Sequence, residues 1–357
     1  MDYLCGRPKV GPGCGMPLQT LLQRRYVMRY LLRRIGFYLI ALWAAVTFNF
    51  IIPRLMPGDP AEAYIAKLQT QQVTRAQIDA IRAEFGVNPN VPIWKQYVDY
   101  LNSLLHGNLG ISTSQFPSPV IDILRHSLPW TIGLVGVSLV LSFCIGTLIG
   151  LLIAWKRGAW YDTAVPPILT FFSAVPYFWM ALGLVYLFGV ILNWFPTDSG
   201  YDVFNVTPGW NMDFIGSVVQ HSILPVITLV IGSLAGWVLI MRNMTITTLS
   251  EDYVLMAQAK GLPERRVMLQ YAARNAILPS ITSFSISLGL IVSGALLTEI
   301  VFNYPGIGFS LYKAVQGDDY ALVEGCFLVI ALAVLFANFL FELLYVFLDP
   351  RVRQGKK

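Results

Sequence analysis

Charge is the first thing this chain lacks. Asp, Glu, Lys and Arg make up 13% of its 357 residues, about half of the ~25% found in an average soluble domain. So few charges cannot cover the surface of a water-soluble protein of this size. The mean hydropathy of +0.60 therefore places much of the chain in lipid. Histidine is scarce as well: His106, His126 and His221 are too scattered for a metal site or a catalytic triad. There are four cysteines. Cys144 and Cys326 fall in apolar runs and read as buried small hydrophobes, while Cys5 and Cys14 have a spacing that matches no zinc site. No G-x-x-x-x-G-K-[ST] loop occurs, which excludes nucleotide hydrolysis by that device. The net charge of +5 belongs to loops between membrane segments and is no nucleic-acid signal.

What is present is apolar sequence in lengths that cross a bilayer, which takes about 20 residues per helix. Six segments qualify, at about 35–53, 129–155, 164–194, 222–241, 280–302 and 325–348. The expected fold is an all-α integral membrane protein of six transmembrane helices. Eighteen of the 25 Lys and Arg fall on one side of that arrangement, the side holding both termini. Six of the other seven lie in one long segment between Arg54 and Arg125, which is long enough to translocate regardless of charge. Both termini are therefore expected in the cytoplasm.

Residues 1–27 are rich in Gly and Pro and read either as a disordered leader or as a start placed upstream of the natural one at Met28. They are no cleavable signal, since the first apolar run is too long and lacks an A-x-A site. Residues 28–127 hold the first span and a large outside segment. There Thr74-Arg-Ala-Gln77 forms a capping box ahead of Ile78, Ile81 and Phe85, and Gly86 ends the helix. A second amphipathic helix runs from Pro92, with Trp94, Tyr97 and Leu101 on its apolar stripe. The pair reads equally well as an interfacial structure on the outer membrane surface and as a small cap packed on the spans. The remaining spans occupy 128–348, and 349–357 is a cytoplasmic tail.

The most informative segment is the inside loop 242–279. Thr248 or Ser250 can cap a first helix. Glu251 and Asp252 sit at its positive end and Lys260 at its negative end. Gly261 suits the left-handed position that closes a helix, and Pro263 the first turn of a second. Tyr253, Ala257 and Gly261 share one face, small enough to admit a groove of another protein.

These residues resemble the EAA loop of bacterial ABC-importer permeases: Glu251, Ala257-x-Ala259-Lys260-Gly261, then Arg274-Asn275-Ala276 and Leu278-Pro279. From Met28 onward, nearly the whole chain is similar to the first permease subunit of the dipeptide/oligopeptide/nickel importers. The matching motifs are Pro53-Arg-Leu-Met-Pro-Gly-Asp-Pro60, Leu109-Gly-Ile-Ser112, Leu128-Pro-Trp-Thr131, Glu299-Ile-Val-Phe-Asn-Tyr-Pro-Gly-Ile-Gly308 and Leu348-Asp-Pro-Arg351. Tyr271 stands where many relatives have His, and the leader before Met28 is extra. The resemblance implies a type I ABC importer transmembrane fold. It also implies that Glu251, Tyr253, Ala257, Ala259, Lys260, Gly261, Arg274 and Asn275 form the coupling contact with a cytoplasmic ATPase. Two ATP-binding subunits, a second homologous permease subunit and an extracytoplasmic solute-binding protein follow as partners. This chain, embedded in membrane lipid, would itself hold no cofactor or metal and have no catalytic role.

Polar groups inside the spans mark either helix packing or a solute path. In the fifth span Ser283 and Ser287 lie one turn apart, and Ser285, Gly289 and Ser293 form a second stripe. Ser283 and Ser287 are path candidates. Glu299, at the outer mouth, reads either as a gate or solute contact or as a structural hydrogen-bond partner of the following Asn303-Tyr-Pro-Gly loop. Asn49 in the first span, also a path candidate, reads as facing the bundle. Asn338 and Glu342 are expected to face the bundle. A secondary transporter would show internal repeats or midplane ion-binding carboxylates, and a membrane enzyme a His/Asp/Glu constellation; neither is visible. Peptide is the expected solute. Oligosaccharide is the alternative, since outside Trp and Tyr could stack on sugars, and nickel is disfavoured by the lack of a His/Met/Cys cluster.

Overall fold

The structure, a computed structural model, describes residues 18–55, 91–289 and 295–348. Every element among them is helical, apart from an isolated antiparallel bridge between Ile111 and Pro119. In chain order the helices are α1 (Leu18–Leu55), α2 (Ile93–Leu105), α3 (Val120–Trp155), α4 (Trp160–Ala174), α5 (Tyr177–Leu184, continued by a π-helical stretch over Val185–Ile191) and α6 (Met212–Leu249). Then follow α7 (Asp252–Ala259), α8 (264–276, with a π-helical centre at Val267–Ala273), α9 (Leu278–Gly289), α10 (Leu296–Val301), α11 (Ile307–Gln316) and α12 (Tyr320–Leu348).

Four of these, α1, α3, α6 and α12, contain windows long and apolar enough to cross a membrane. α1, α3 and α6 overrun the expected spans furthest, α1 at its N-terminal end. The 36 residues of α3 and the 38 of α6 extend to about 54 and 57 Å at ~1.5 Å per residue, against an apolar bilayer core of ~30 Å. Their polar ends therefore stand out of the lipid.

The expected single span at 164–194 is instead a broken pair, α4 and α5, bent by 96°. The cause is local. Pro176 disfavours a helical conformation at the residue before it, and Val175 takes φ −73°, ψ 125°. The fifth expected span, 280–302, is carried by the short helices α9 and α10. Residues 290–294 between them lie outside the described set, as do Ser293 and the side chain of Ser285.

The centre of the fold is the α3–α6 pair. Gly146 and Gly150 bring the two backbones together: a Cβ at Gly146 would lie 2.4 Å from that of Trp237, and one at Gly150 2.5 Å from the Val238 carbonyl. On one side of this pair α12 and α11 pack on the start of α3 through Val120, Leu124, Ile307, Leu322, Val323 and Cys326. Cys326 is buried as expected. Cys144 is exposed on the outer flank of α3, where an apolar side chain meets lipid at no cost.

α2 packs on α1 by aromatic contacts of Phe50 with Tyr97 and Tyr100, and by the Thr47 and Tyr97 hydroxyls 2.7 Å apart. None of its residues is buried, and Ile93, Trp94 and Leu105 stay largely exposed. The expected helix after Thr74 lies outside the described residues, as do positions 1–17, Cys5 and Cys14 among them, and 349–357. α1 is helical from Leu18. Asn338 is half-buried, and the side chain of Glu342 is not among those described.

Candidate functional site: the α7–α8 loop and the outer corner

Arg242, directly after the apolar run that ends at Met241 in α6, is the first residue of the loop region. Its Nε and Nη2 both lie 2.7 Å from Asp162 Oδ1, and Asp162 Oδ2 accepts from the Gly158 N–H at 3.0 Å. This joins the loop after α3, the start of α4 and the end of α6 in one plane. Beyond it the chain leaves the bundle at Ser250.

α7 begins at Glu251 without a side-chain cap. The Thr248 and Ser250 hydroxyls expected there donate instead to the Met244 and Thr247 carbonyls of α6, completing the end of that helix. Glu251 and Asp252 still sit at the positive end of α7, and Lys260 at its negative end, as their charges favour.

The other end of α7 is closed in two bonds. Gly261 N–H donates to Gln258 O at 2.9 Å, and Leu262 N–H to Ala257 O at 3.4 Å. With Gly261 at φ +70° this is a Schellman closure, and Leu262 folds back onto the core of the elbow. That core is Val254, Ala257 and Val267, with Trp155, Leu249 and Tyr271 around them.

Ala257 is thus 3% exposed, and Val254 fully covered. The expected outward face of Tyr253, Ala257 and Gly261 does not exist as one surface. Ala257 points inward, where its small size lets α7 lie close on α8. The outward face carries Leu255 and Met256, 49% and 59% exposed, with Ala259 beside them. The sequence reading overlooked these two. Their signal was available: an apolar pair offset from the Val254/Ala257 stripe on a helix outside the membrane.

Tyr253 and Asn275 are brought together from opposite ends of the loop, the Asn275 amide donating to the Tyr253 hydroxyl at 2.7 Å. Ala276 is buried on Leu151 and Met241, which anchors the loop's far end to α3 and α6. Glu251, Lys260 and Arg274 are exposed around this frame.

At the other end of the molecule, Glu299 is fully buried. One carboxylate oxygen accepts from the Thr131 hydroxyl at 2.7 Å, the other from the N–H groups of Gly308 and Phe309 at 2.7 and 3.3 Å. Thr131 Oγ1 in turn accepts from Ile307 N–H at 2.8 Å. The carboxyl therefore closes the first turn of α11, where the helix dipole favours negative charge. Gly306 is required there, because a Cβ would lie 2.3 Å from the carboxyl group.

Asn49 is also enclosed, at 5% exposure. Its amide donates to Glu324 O at 2.6 Å and to the Tyr100 hydroxyl at 3.2 Å. Arg54 pairs with Glu324 at 2.6 Å beside it. Burial pushes the Tyr100 hydroxyl up to about 12, keeping it protonated within this joint between α1, α2 and α12. Glu299 and Asn49 both make their side-chain hydrogen bonds within this chain.

Ser283 and Ser287 are half-buried on α9, and Ser287 donates to the Ser283 carbonyl at 3.0 Å. Phe284, on the neighbouring face, packs on Phe143 and Trp237, so that face holds α9 to the α3–α6 pair. Near Glu299 an open cavity of about 400 Å³ lies between α3 and α11, with Asp122, His126, Trp130 and Lys313 in its lining. No group of three or more His, Cys, Asp or Glu able to hold a metal occurs among the described residues.

A bundle of apolar helices whose long members run into an ordered elbow has the character of an integral membrane protein. Residues 146–354 match the family described as "Binding-protein-dependent transport system inner membrane component", and 27–134 match "Binding-prot-dependent transport system membrane comp, N-term". The chain belongs to this family of multi-pass inner-membrane permeases of ABC transporters. It is 34% identical over 327 residues to a putative peptide permease protein of Brucella suis, covering 92% of this chain and 99% of that one. It is 33% identical to the dipeptide transport system permease protein of Escherichia coli (strain K12), and 31% to the di/tripeptide transport system permease protein of Pseudomonas aeruginosa. Each of these covers 92% of this chain and 100% of the relative.

Proposed function

We propose that this chain forms half of the membrane path of an ATP-driven importer of di- or oligopeptides, and that the α7 elbow is its contact with an ATPase. The observation that carries the reading is the closed elbow itself: a short helix locked at Gly261, packed inward by Val254 and Ala257, and presenting Leu255 and Met256 outward. Peptide as solute is supported by the names of the relatives. The complex would comprise a second permease subunit, two ATP-binding subunits and an extracytoplasmic binding protein. ATP is handled by the ATPase subunits, so this chain needs no cofactor. Six spans with both termini in the cytoplasm follow from the distribution of Lys and Arg. Residues 28–127 would form the entry span and outer segment, 128–348 the transport core, and 349–357 the tail.

The route from ATP to solute is then a chain of contacts. A movement of α7 is passed to α8 through Val254, Ala257 and Val267 and through the Tyr253–Asn275 bond. It reaches α9 at Leu278, whose Ser283/Ser287 face lines the path. Glu251, Ala259, Lys260 and Arg274 frame the docking surface. Neutral hydroxyls hold a polar solute weakly enough to release it.

A cysteine at Met256 is expected to react with impermeant thiol reagents only after the cytoplasmic side is opened, and to cross-link to an ATPase subunit in the assembled complex. A cysteine at Phe204, exposed in the loop before α6 on the outer side, is expected to react without that opening and not to cross-link. Cross-linking from 204 but not from 256 would invert the topology and remove the docking role. Along the path, cysteines at 283 and 287 are expected to label with small hydrophilic thiol reagents, at rates that change when ATP is bound. If both stay inert in every nucleotide state, the path does not run along this face.

A further inference from the structure

At the loop end of α3 a groove of about 530 Å³ lies between α3, the start of α4 and α8. Its walls are apolar, with Ile149, Leu152, Val165 and Met268 among them. Leu152 is half exposed, and Ile149 and Val165 are partly so, on helices whose neighbouring turns face lipid. Lys156 and Arg265 stand at the rim from opposite walls. Neither makes an ion pair or a side-chain hydrogen bond among the described residues, and both are exposed. Their neighbours Arg242 and Arg266 are committed, to Asp162 and Gln270 respectively. The acid of the lining, Glu264, accepts from the Trp155 indole N–H at 2.9 Å, which fixes it on the α3 side. Trp155 and Tyr161 at the same level are the amphipathic aromatics that mark a membrane–water boundary.

We propose that this groove binds one anionic phospholipid of the bilayer, its acyl chain along the apolar wall and its phosphate between Lys156 and Arg265. The chemistry asks for a ligand that is apolar at one end and anionic at the other, presented at the membrane boundary. Basic pockets between spans at that level take anionic head groups, with about a fivefold contribution to affinity from each cation. Because Lys156 closes α3 and Arg265 opens α8, the bound lipid joins the bundle to the proposed coupling elbow. Assignment to the cytoplasmic leaflet rests on the topology proposed above; the binding itself does not.

The test is native mass spectrometry of the purified intact transporter complex, titrated with phosphatidylglycerol or phosphatidylcholine. One phosphatidylglycerol per copy of this chain is expected to persist where phosphatidylcholine is stripped. The double variant K156Q/R265Q should weaken its retention roughly 30-fold. Ile149→Trp, which fills the groove and keeps both cations, should also lose it. K313Q, which removes a cation elsewhere in the chain, should retain it. Equal retention of the two lipids, or an unchanged phosphatidylglycerol count in K156Q/R265Q, overturns the proposal. A groove covered by an ATPase subunit would show no persistent lipid in the complex, and that result overturns it too.

Discussion

Valine at position 261 is expected to leave the chain in the membrane and to cut the proposed ATP-coupled uptake at least tenfold. Gly261 has φ +70°, and a Cβ built there meets nothing within 4 Å. The penalty is therefore one of backbone conformation alone, about 1–2 kcal/mol for an L-residue in the left-handed region and at the upper end for a β-branched one. In a large domain that is a small loss. Here it falls on an eight-residue helix that has little stability of its own and owes its direction to the closure at its C-terminal end. Relieving the strain swings Leu262 out of the elbow and turns α7 relative to α8. Uptake and ATPase association are expected to fall at least tenfold while membrane content of the protein stays normal. Asparagine tolerates the left-handed region and should retain most activity. Wild-type uptake by Gly261→Val would remove the elbow from the coupling route.

The second large effect is expected at Glu299, and it is one of folding. Its carboxyl group is the common acceptor for Thr131 Oγ1 and two backbone N–H groups in a fully buried corner. Glu299→Ala strands these donors away from water, at about 1–3 kcal/mol for each group that finds no replacement. A total of about 3–5 kcal/mol exceeds what a single substitution usually costs and is enough to deplete the protein. Glutamine keeps one acceptor but turns an NH2 group toward a donor, so Glu299→Gln should be intermediate. Protein abundance and thermal stability in detergent are the measurements. A path-lining role predicts the reverse: Glu299→Ala would accumulate normally and change only uptake or its selectivity.

That contrast shows what could be read from the residues and what could not. Gly261 as the left-handed end of a helix and Pro263 as the start of the next were legible because backbone conformation at such positions depends on few atoms. The EAA-like order of Glu251, Ala257, Lys260, Gly261 and Asn275 was equally legible. The inward turn of Ala257 was not, since both faces of α7 carry small or apolar residues and only the position of α8 decides between them. Glu299 and Asn49 stayed open between a path role and a structural one because a polar side chain in an apolar run has two uses, and their bonds to Thr131 and to the Glu324 carbonyl span 168 and 275 residues. Hydropathy also passed over the break at Val175. A proline redirects a helix without making the sequence less apolar, so the length count read one span where there are two arms at 96°.

The close contact of α6 with α3 has a mechanical meaning. Gly146 and Gly150 clamp α6 between Trp237 and Arg242, so that region serves as a fulcrum. From Met241 to the loop end at Leu249 is about 12 Å of helix, and from Trp237 to the far end at Met212 about 38 Å, at ~1.5 Å per residue. These are the proportions of an unequal lever, with the proposed docking elbow on the short arm. Pro225 lies on the long arm, so no proline interrupts the rod between the elbow and the fulcrum. Rotation about the clamp would multiply a 1 Å displacement of the short arm to about 3 Å at the opposite end, in the ratio of the two arm lengths. A stroke at the proposed elbow would thus reach the far end of α6 enlarged.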